Sequence, residues 1–188
     1  MEIHSSWDGF INSIKNCHKC LIANERHNIV IGEGKKDAKI MFIGEAPGYD
    51  EDIMGKPFVG KAGQKLDEIL LKVGLKREDI YIANILKCRP PGNRDPKPQE
   101  CEACMDYLRN QVYLIKPKII VLLGRVALNN ILGSSYRITS SRGKWILKKN
   151  MLYMPTWHPS AILRDPSKED TFIHDLLLVK DKIKELGE

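Results

Sequence analysis

What the chain lacks narrows it first. No apolar run is long enough to cross a bilayer: stretches such as Ile119–Leu123 fall far short of the roughly 20 residues a spanning helix needs. The opening segment Met1–Gly9 carries Glu2 and Asp8 and no basic, apolar leader, so no secretion signal is expected and a cytoplasmic location follows. There is no internal repeat, no low-complexity tract and no visible linker. A length of 188 residues leaves no comfortable room for two domains, so one domain over residues 1–188 is expected. Acidic residues are in the minority, 24 against 30 basic, for a net charge of +6. That surplus favours a polyanionic partner through phosphate neutralisation, although it serves equally as solubility charge.

The residues that are present read as a soluble globular protein, 43% apolar and 29% charged. Apolar positions at three- and four-residue steps predict a helix over Trp7–Asn16, which delivers the chain to Cys17 and Cys20. An irregular stretch follows through Gly32 and Gly34. A short buried strand, Lys39–Gly44, then leads into a long loop marked by Gly48 and Gly55 and reaching Phe58. A helix over Ala62–Val73 is expected to cap on Gly74. The second strand is Ile80–Ile85. A proline-rich loop, Arg89–Pro98, separates it from a helix over Glu100–Ile115 that Pro117 stops. Lys118–Leu123, apolar on both faces, reads as a central parallel strand, with a short helix after it to Leu132. Lys144–Lys148 and Met151–Pro155 can form a hairpin around Lys149-Asn150, and a last helix covers Lys168–Leu186. Strands alternating with helices predict an α/β fold: a three-layer α/β/α sandwich around a mostly parallel four-stranded sheet. Such folds bind ligands at the carboxyl ends of the strands. Those ends are Gly44–Gly48, Asn84, Gly124 and Thr156–Ser160, and they should converge on one cleft.

Five cysteines in a reducing compartment are poor candidates for disulfides and good ones for metal ligation, because Cys17 and Cys20 form a C-x-x-C. Two arrangements are open. A four-thiolate zinc site would pair Cys17 and Cys20 with Cys101 and Cys104, leaving Cys88 free. A [4Fe–4S] cubane would take Cys17, Cys20, Cys88 and one of Cys101 or Cys104. Spacing slightly favours zinc, since Cys101 and Cys104 lie one helical turn apart.

Four motifs occur in order: Gly44-Glu45-Ala46-Pro47-Gly48, Gly55-Lys56-Pro57-Phe58-Val59-Gly60-Lys61-Ala62-Gly63, Asn84-Ile85-Leu86-Lys87-Cys88-Arg89-Pro90-Pro91 and His158-Pro159-Ser160. Together with the cysteines they resemble the family 4 uracil-DNA glycosylases, an iron–sulfur branch of that superfamily, over nearly the whole chain. The resemblance implies a DNA-repair glycosylase that flips uracil out of DNA and hydrolyses its glycosidic bond. It implies a [4Fe–4S] cluster on Cys17, Cys20, Cys88 and Cys104, with Cys101 spare, holding an N-terminal cluster-ligating segment to the proline-rich loop. The implied partner is uracil-containing DNA, single- or double-stranded; no membrane is involved, and the protein is a monomer.

The resemblance also assigns roles. His158 is the donor to the departing uracil anion, and Glu45, in the loop that positions the attacking water, is the second catalytic residue. Asn84 reads uracil N3–H and O4, a pattern that cytosine reverses. Phe58 stacks on the base, Gly44 and Ala46 line the pocket, and Glu51 crowds uracil C5 against the thymine methyl group. Tyr49 stands where an acidic residue often follows Gly48, which puts strict uracil preference in question. Ala46 occupies the place of a catalytic Asp in another family. The Ala161–Arg164 run resembles a wedge loop, so Ser160, Ile162, Leu163 and Arg164 are expected on DNA. Arg142 is expected there too, with Arg89, Arg94 and Lys144 as further phosphate contacts. Three competing readings stand beside this one. A broader deaminated-base specificity is disfavoured by Glu45 with Asn84. A tight uracil-DNA binder with little turnover is disfavoured by Ala46 and by the lack of an inserted basic loop. An iron–sulfur redox module would leave His158 and Phe58 unexplained.

Overall fold

The computed structural model describes residues 3–187; Met1 and Glu2, where the leader reading begins, and Glu188 lie outside the described residues. In chain order the elements are α1 (Trp7–Ile14), β1 (Glu33–Gly34), β2 (Ile40–Gly44), α2 (Tyr49–Met54), α3 (Lys61–Val73), β3 (Tyr81–Asn84), α4 (Pro98–Ile115), β4 (Ile119–Leu123), α5 (Gly124–Leu132), α6 (Ile138–Ser141), β5 (Ile146–Lys148), β6 (Met151–Thr156), α7 (Pro159–Arg164) and α8 (Glu169–Glu185).

The sheet has six strands in the order β1-β3-β2-β4-β6-β5, larger than the expected four. The four inner strands are the parallel core that was expected. The additions are antiparallel edges. β1 pairs with β3 over two residues, too short a segment to show any alternation. β5 pairs with β6 as the expected hairpin. Its two turn residues, Lys149 and Asn150, both take positive φ, at 49° and 60°, the conformation a two-residue type I′ turn requires.

Alternation along the strands divides the core. Ile40, Phe42, Ile82, Val121 and Leu123 face α3 and α8, packing with Leu66, Ile69, Phe172 and Leu176. Met41, Ile43, Ala83, Ile120 and Leu122 face the other way, toward α4 and α5, packing with Met105, Leu108 and Leu128. That is the three-layer sandwich. Each buried Leu, Ile or Phe stabilises by about 1.5–3 kcal/mol relative to exposure. A third, smaller cluster docks α1 on α4 through Phe10, Ile14 and Tyr107, and a two-way bond between His4 and the Asn110 carboxamide, at 2.8 and 3.0 Å, fixes the approach.

The segment read as a loop after Gly48 contains a helix. α2 runs Tyr49–Met54 between Gly48 and Gly55, and Gly55 takes φ 68° as its left-handed cap. The two glycines are the ends of the helix, and its acidic first turn suits a helix N-terminus. α7, likewise unforeseen, starts at Pro159 with His158 as its N-cap. Because β2, β3, β4 and β6 are parallel, their carboxyl ends share one edge. β3 and β4 flank β2 on opposite sides, so the loops after them diverge there and leave a crevice.

Candidate active site

The crevice is a cavity of about 550 Å³. It gathers Glu45, Ala46, Glu51, Phe58, Asn84, His158, Ser160 and Arg164 from the ends of different strands. The convergence expected from the strand ends is present, with Gly44 at the end of β2 directly beneath.

His158 has a defined protonation pattern. As N-cap of α7 its Nδ1 accepts the Ser160 backbone N–H at 3.2 Å, with the Ser160 hydroxyl at 2.8 Å. A backbone N–H can only donate, so Nδ1 carries the lone pair and the proton of the neutral ring sits on Nε2. Burial holds the ring well below the usual histidine range, at about 4, with Arg164 adding to the effect and Glu51 opposing it. At neutral pH the side chain is therefore an uncharged Nε2–H donor. Gly124 makes its place: at φ 87°, a Cβ there would lie 2.9 Å from the His158 Cβ.

Phe58 lies beside it, ring centroids 5.5 Å apart and planes at 37°. Phe58 is buried, yet its backbone φ is 52°, a conformation rarely taken by a bulky residue and concentrated at functional sites. Asn84 is also buried, and its Oδ1 has no hydrogen-bond partner. A buried acceptor left unpaired costs about 1–3 kcal/mol, which a ligand donor would recover. Gly44 makes room for both groups. A Cβ at that position would stand 2.4 Å from Asn84 Oδ1 and 2.7 Å from the Phe58 ring.

The two glutamates differ. Glu51 accepts backbone N–H groups from Gly48, Val59 and Gly60 at 3.1, 2.9 and 2.8 Å. Its carboxylate braces the loop that carries Phe58, in addition to lining the cavity. Glu45 makes no such brace. Burial raises its pKa above the ordinary carboxylate value, with the nearby Asp95 charge adding and Arg125 and Arg164 opposing. Asp95 and Arg125 pair at 2.6 Å across the rim.

Two expectations for DNA contact need correction. Ile162 is buried among Phe172 and Leu176 in the α3/α8 core, so it cannot serve as a wedge without opening that core. Leu163 is 45% exposed and is the apolar tip of α7. Arg142 does not line the cavity; its guanidinium pairs with the fully buried Asp175 and donates to the Thr171 carbonyl at 3.0 Å. Arg94 is similarly bound, in two bonds of 2.9 and 2.6 Å to Glu100. Arg164 and Lys144 are exposed, and Arg89 lies 5.1 Å over the Tyr49 ring outside the cavity.

The cysteines form a second locus. Burial pushes the Cys88 thiol up to about 11, with Cys104 and Cys20 near enough to add to the shift. Burial likewise raises Cys104, which feels Cys20 and Cys17. Cys88 thus has Cys104 and Cys20 nearby, and Cys104 has Cys20 and Cys17. Cys101 has other surroundings: Glu100, Glu45 and Asn130, with Cys104 alone among the sulfurs. Among the described residues no three His, Cys, Asp or Glu side chains are set to hold one metal ion. A single zinc needs all its thiolates about 2.3 Å from one point, whereas a cubane takes one thiolate per iron and spreads them. Four thiols drawn from the N-terminal segment, the proline-rich loop and α4, with Cys101 in other surroundings, are a donor set a cluster can use. Arg26 closes the locus, donating to the Cys17 carbonyl at 2.7 Å and to Cys88 Sγ at 3.5 Å.

Several residues escaped the sequence reading. Arg125 directly follows Gly124, one of the strand ends already singled out, and that adjacency was its signal. Asp175 stands among Phe172, Leu176 and Val179 on the buried stripe of α8, an acid where the period demands an apolar residue. Lys87 sits in the apolar run Ile85–Cys88; burial pushes its ammonium down to about 7, and Cys104 and Cys88 work against that.

The family model described as the Uracil DNA glycosylase superfamily matches residues 31–177. The chain is 43% identical to a type-4 uracil-DNA glycosylase of Thermotoga maritima, over 93% of this chain and 93% of that protein. It is 41% identical to the type-4 enzyme of Archaeoglobus fulgidus, covering 90% and 89%. With that of Saccharolobus solfataricus the identity is 42%, covering 94% and 86%.

Proposed function

This chain belongs to the uracil-DNA glycosylase superfamily and, within it, to the type-4 uracil-DNA glycosylases, and from that premise we propose how its cleft excises uracil during DNA repair. The observation that carries the reading is the pairing of an unsatisfied buried acceptor, Asn84 Oδ1, with an uncharged donor, His158 Nε2–H, in one cavity.

A base inside a duplex cannot reach such a cavity, so it is extruded from the stack. The Asn84 carboxamide then accepts uracil N3–H through Oδ1 and donates to O4 through its amide nitrogen. Cytosine, with a lone pair at N3 and an amino group at C4, meets the wrong atom twice. The Phe58 ring stacks on the base, over the space that Gly44 leaves open, beside Ala46. Glu51 fixes that ring by holding Val59 and Gly60, and it walls the side where a thymine methyl group would enter.

As the glycosidic bond breaks, negative charge gathers on uracil O2 and positive charge on the sugar. His158 donates to O2 as that charge grows. A neutral ring loses no proton to solvent beforehand, and a donor of this kind is worth about 10²–10³ in rate. Glu45, half-buried near the charges of Arg125 and Arg164, holds the water that attacks the sugar carbon and takes the proton released. Arg164, Ser160 and exposed Leu163 meet the strand around the gap left by the base.

Cys17, Cys20, Cys88 and Cys104 would hold a [4Fe–4S] cluster, with Cys101 outside the set. Such a group would supply a covalent tie between the N-terminal segment, the proline-rich loop and α4; the excision steps do not run through it. No helix among the described residues is long and apolar enough to cross a membrane.

Incubation with a single-uracil oligonucleotide followed by alkali tests the reaction. Strand breaks at the uracil are expected, and an intact strand would refute the proposal.

A further inference from the structure

One lysine enters the interior where no carboxylate receives it. Lys87 is 1% exposed. Its ammonium donates to the Asn84 backbone carbonyl at 2.8 Å and to Gln111 Oε1 at 2.6 Å, two neutral acceptors. Gln111 is itself fully buried and its orientation is set, because its Nε2 donates to the Ile31 carbonyl at 2.8 Å and to the Tyr81 hydroxyl at 3.0 Å. Only Oε1 is left for the lysine. The ionisable groups that act on Lys87 are the thiols of Cys104 and Cys88. Gln111 lies two turns beyond Cys104 on α4, so one helix carries both the lysine's acceptor and a thiol of the cysteine locus.

A buried ammonium is retained only where it is paired or well hydrogen-bonded. Here two neutral acceptors, the Asn84 carbonyl and Gln111 Oε1, supply the bonds. One of those acceptors belongs to Asn84, the last residue of β3. Sheet pairing holds Asn84 on one side, through Gly44 and the Ile85 N–H. The Leu86 N–H continues that pairing with the Glu45 carbonyl at 3.0 Å, and Lys87 grips the Asn84 carbonyl on the other side, toward α4.

We propose that Lys87 is a positioning residue for base recognition: it ties the Asn84 backbone to α4 and the cysteine locus, and so fixes the direction of the Asn84 carboxamide. This rests on the reading of the cleft as a uracil pocket. It makes base discrimination depend on a residue that touches neither base nor DNA.

The test compares purified wild-type protein with Lys87→Met, which keeps the buried stem and removes the ammonium. Iron content and visible absorbance report on the cysteine locus. Single-turnover rates on uracil and cytosine oligonucleotides, and inhibition by free uracil, report on the pocket. The expected result is a uracil-over-cytosine ratio at least tenfold lower, with weaker inhibition by uracil. Gln111→Met, which leaves Lys87 one acceptor, should move both readouts the same way by less. A variant with wild-type discrimination and uracil inhibition, whatever its colour, overturns the proposal and leaves Lys87 as a support for the cysteine locus alone. If Lys87→Met does not accumulate as folded protein, Lys87→Arg decides on the same readouts, since a guanidinium cannot place one nitrogen on both acceptors. Failure of the wild-type protein to excise uracil would refute the parent reading instead, so the two failures are distinct.

Discussion

The uracil cleft and the cysteine locus stand at two ends of the β3–α4 connection, and burial acts on both with the same physics and opposite consequence. Burial disfavours whichever form of a group is charged. In the cleft it lowers His158 to about 4, and the neutral ring that results is the donor proposed for the uracil anion. Among the cysteines it raises Cys88 to about 11, and the neutral thiol that results is not a ligand, because metals bind the thiolate. The proposed cleft chemistry uses protein groups as burial leaves them, whereas the proposed cluster would have to reverse the effect of burial on its thiols. On the proposed reading, a site for a transient neutral base and a site for a permanent charged group differ in this way even when both are lined by buried polar atoms.

The largest expected effect separates the two regions outright. Wild-type protein should be brown, with about four irons per chain. Cys104→Ser should lose that colour and Cys101→Ser should keep it, as elemental analysis and visible spectra would report. A colourless wild type carrying one zinc would remove the contrast. Next comes the donor. His158→Ala should slow excision by about 10²–10³ and leave the uracil-over-cytosine ratio nearly unchanged in single-turnover assays. A variant that loses discrimination in step with rate would show that His158 reads the base.

Asn84→Asp should behave in the converse way. An ionised carboxylate accepts from N3–H but opposes O4 with a second acceptor. Uracil excision should fall by about 2 kcal/mol, roughly thirtyfold, with trace activity appearing on cytosine. Full uracil activity would mean the side chain does not contact the base. The pH profile is subtler. Glu45 has a raised pKa, so if its carboxylate is the working form, activity is lost as pH falls through that raised value. Asp95→Asn removes a repelling charge and should move the acid limb to lower pH; Arg125→Gln should move it to higher pH. No inflection is expected near 6.5, since His158 is held at about 4. A limb unmoved by either change would take Glu45 out of the rate-determining chemistry.

The smallest effect concerns the rim. Arg164→Ala should reduce the salt slope of DNA binding by about one, the loss of one phosphate contact. Arg142→Ala should leave that slope alone. It should lower stability in thermal unfolding by about 3–5 kcal/mol, because Asp175 would remain buried without its guanidinium, keeping the Thr156 hydroxyl at 2.6 Å and the His174 ring at 3.8 Å. A changed slope for Arg142→Ala would place that residue back on DNA.

What the sequence by itself determined was everything written in local periodicity and local stereochemistry. The parallel strands follow from short continuous apolar runs buried on both faces, and the helices α1, α3, α4, α5 and α8 from period-3.6 burial. The caps at Gly74 and before Pro117, and the Lys149-Asn150 turn, follow from backbone preferences that hold in any context. The cleft's location followed as well, because parallel strands must end on one side. Tertiary structure decided what local rules cannot carry. β1 exists because β3 offers an edge to pair with. Ile162 and Leu163 are neighbours of similar hydrophobicity, and only the packing of α7 against α3 and α8 sends one to the core and the other to solvent. Arg142 and Arg164 carry the same charge in the sequence; the buried Asp175, 33 residues away from Arg142, makes the first a structural ion pair. The free Oδ1 of Asn84, the tautomer of His158 and the burial of Lys87 likewise depend on groups far off in the chain, since desolvation and hydrogen-bond partnership belong to the folded surroundings of a residue rather than to the residue.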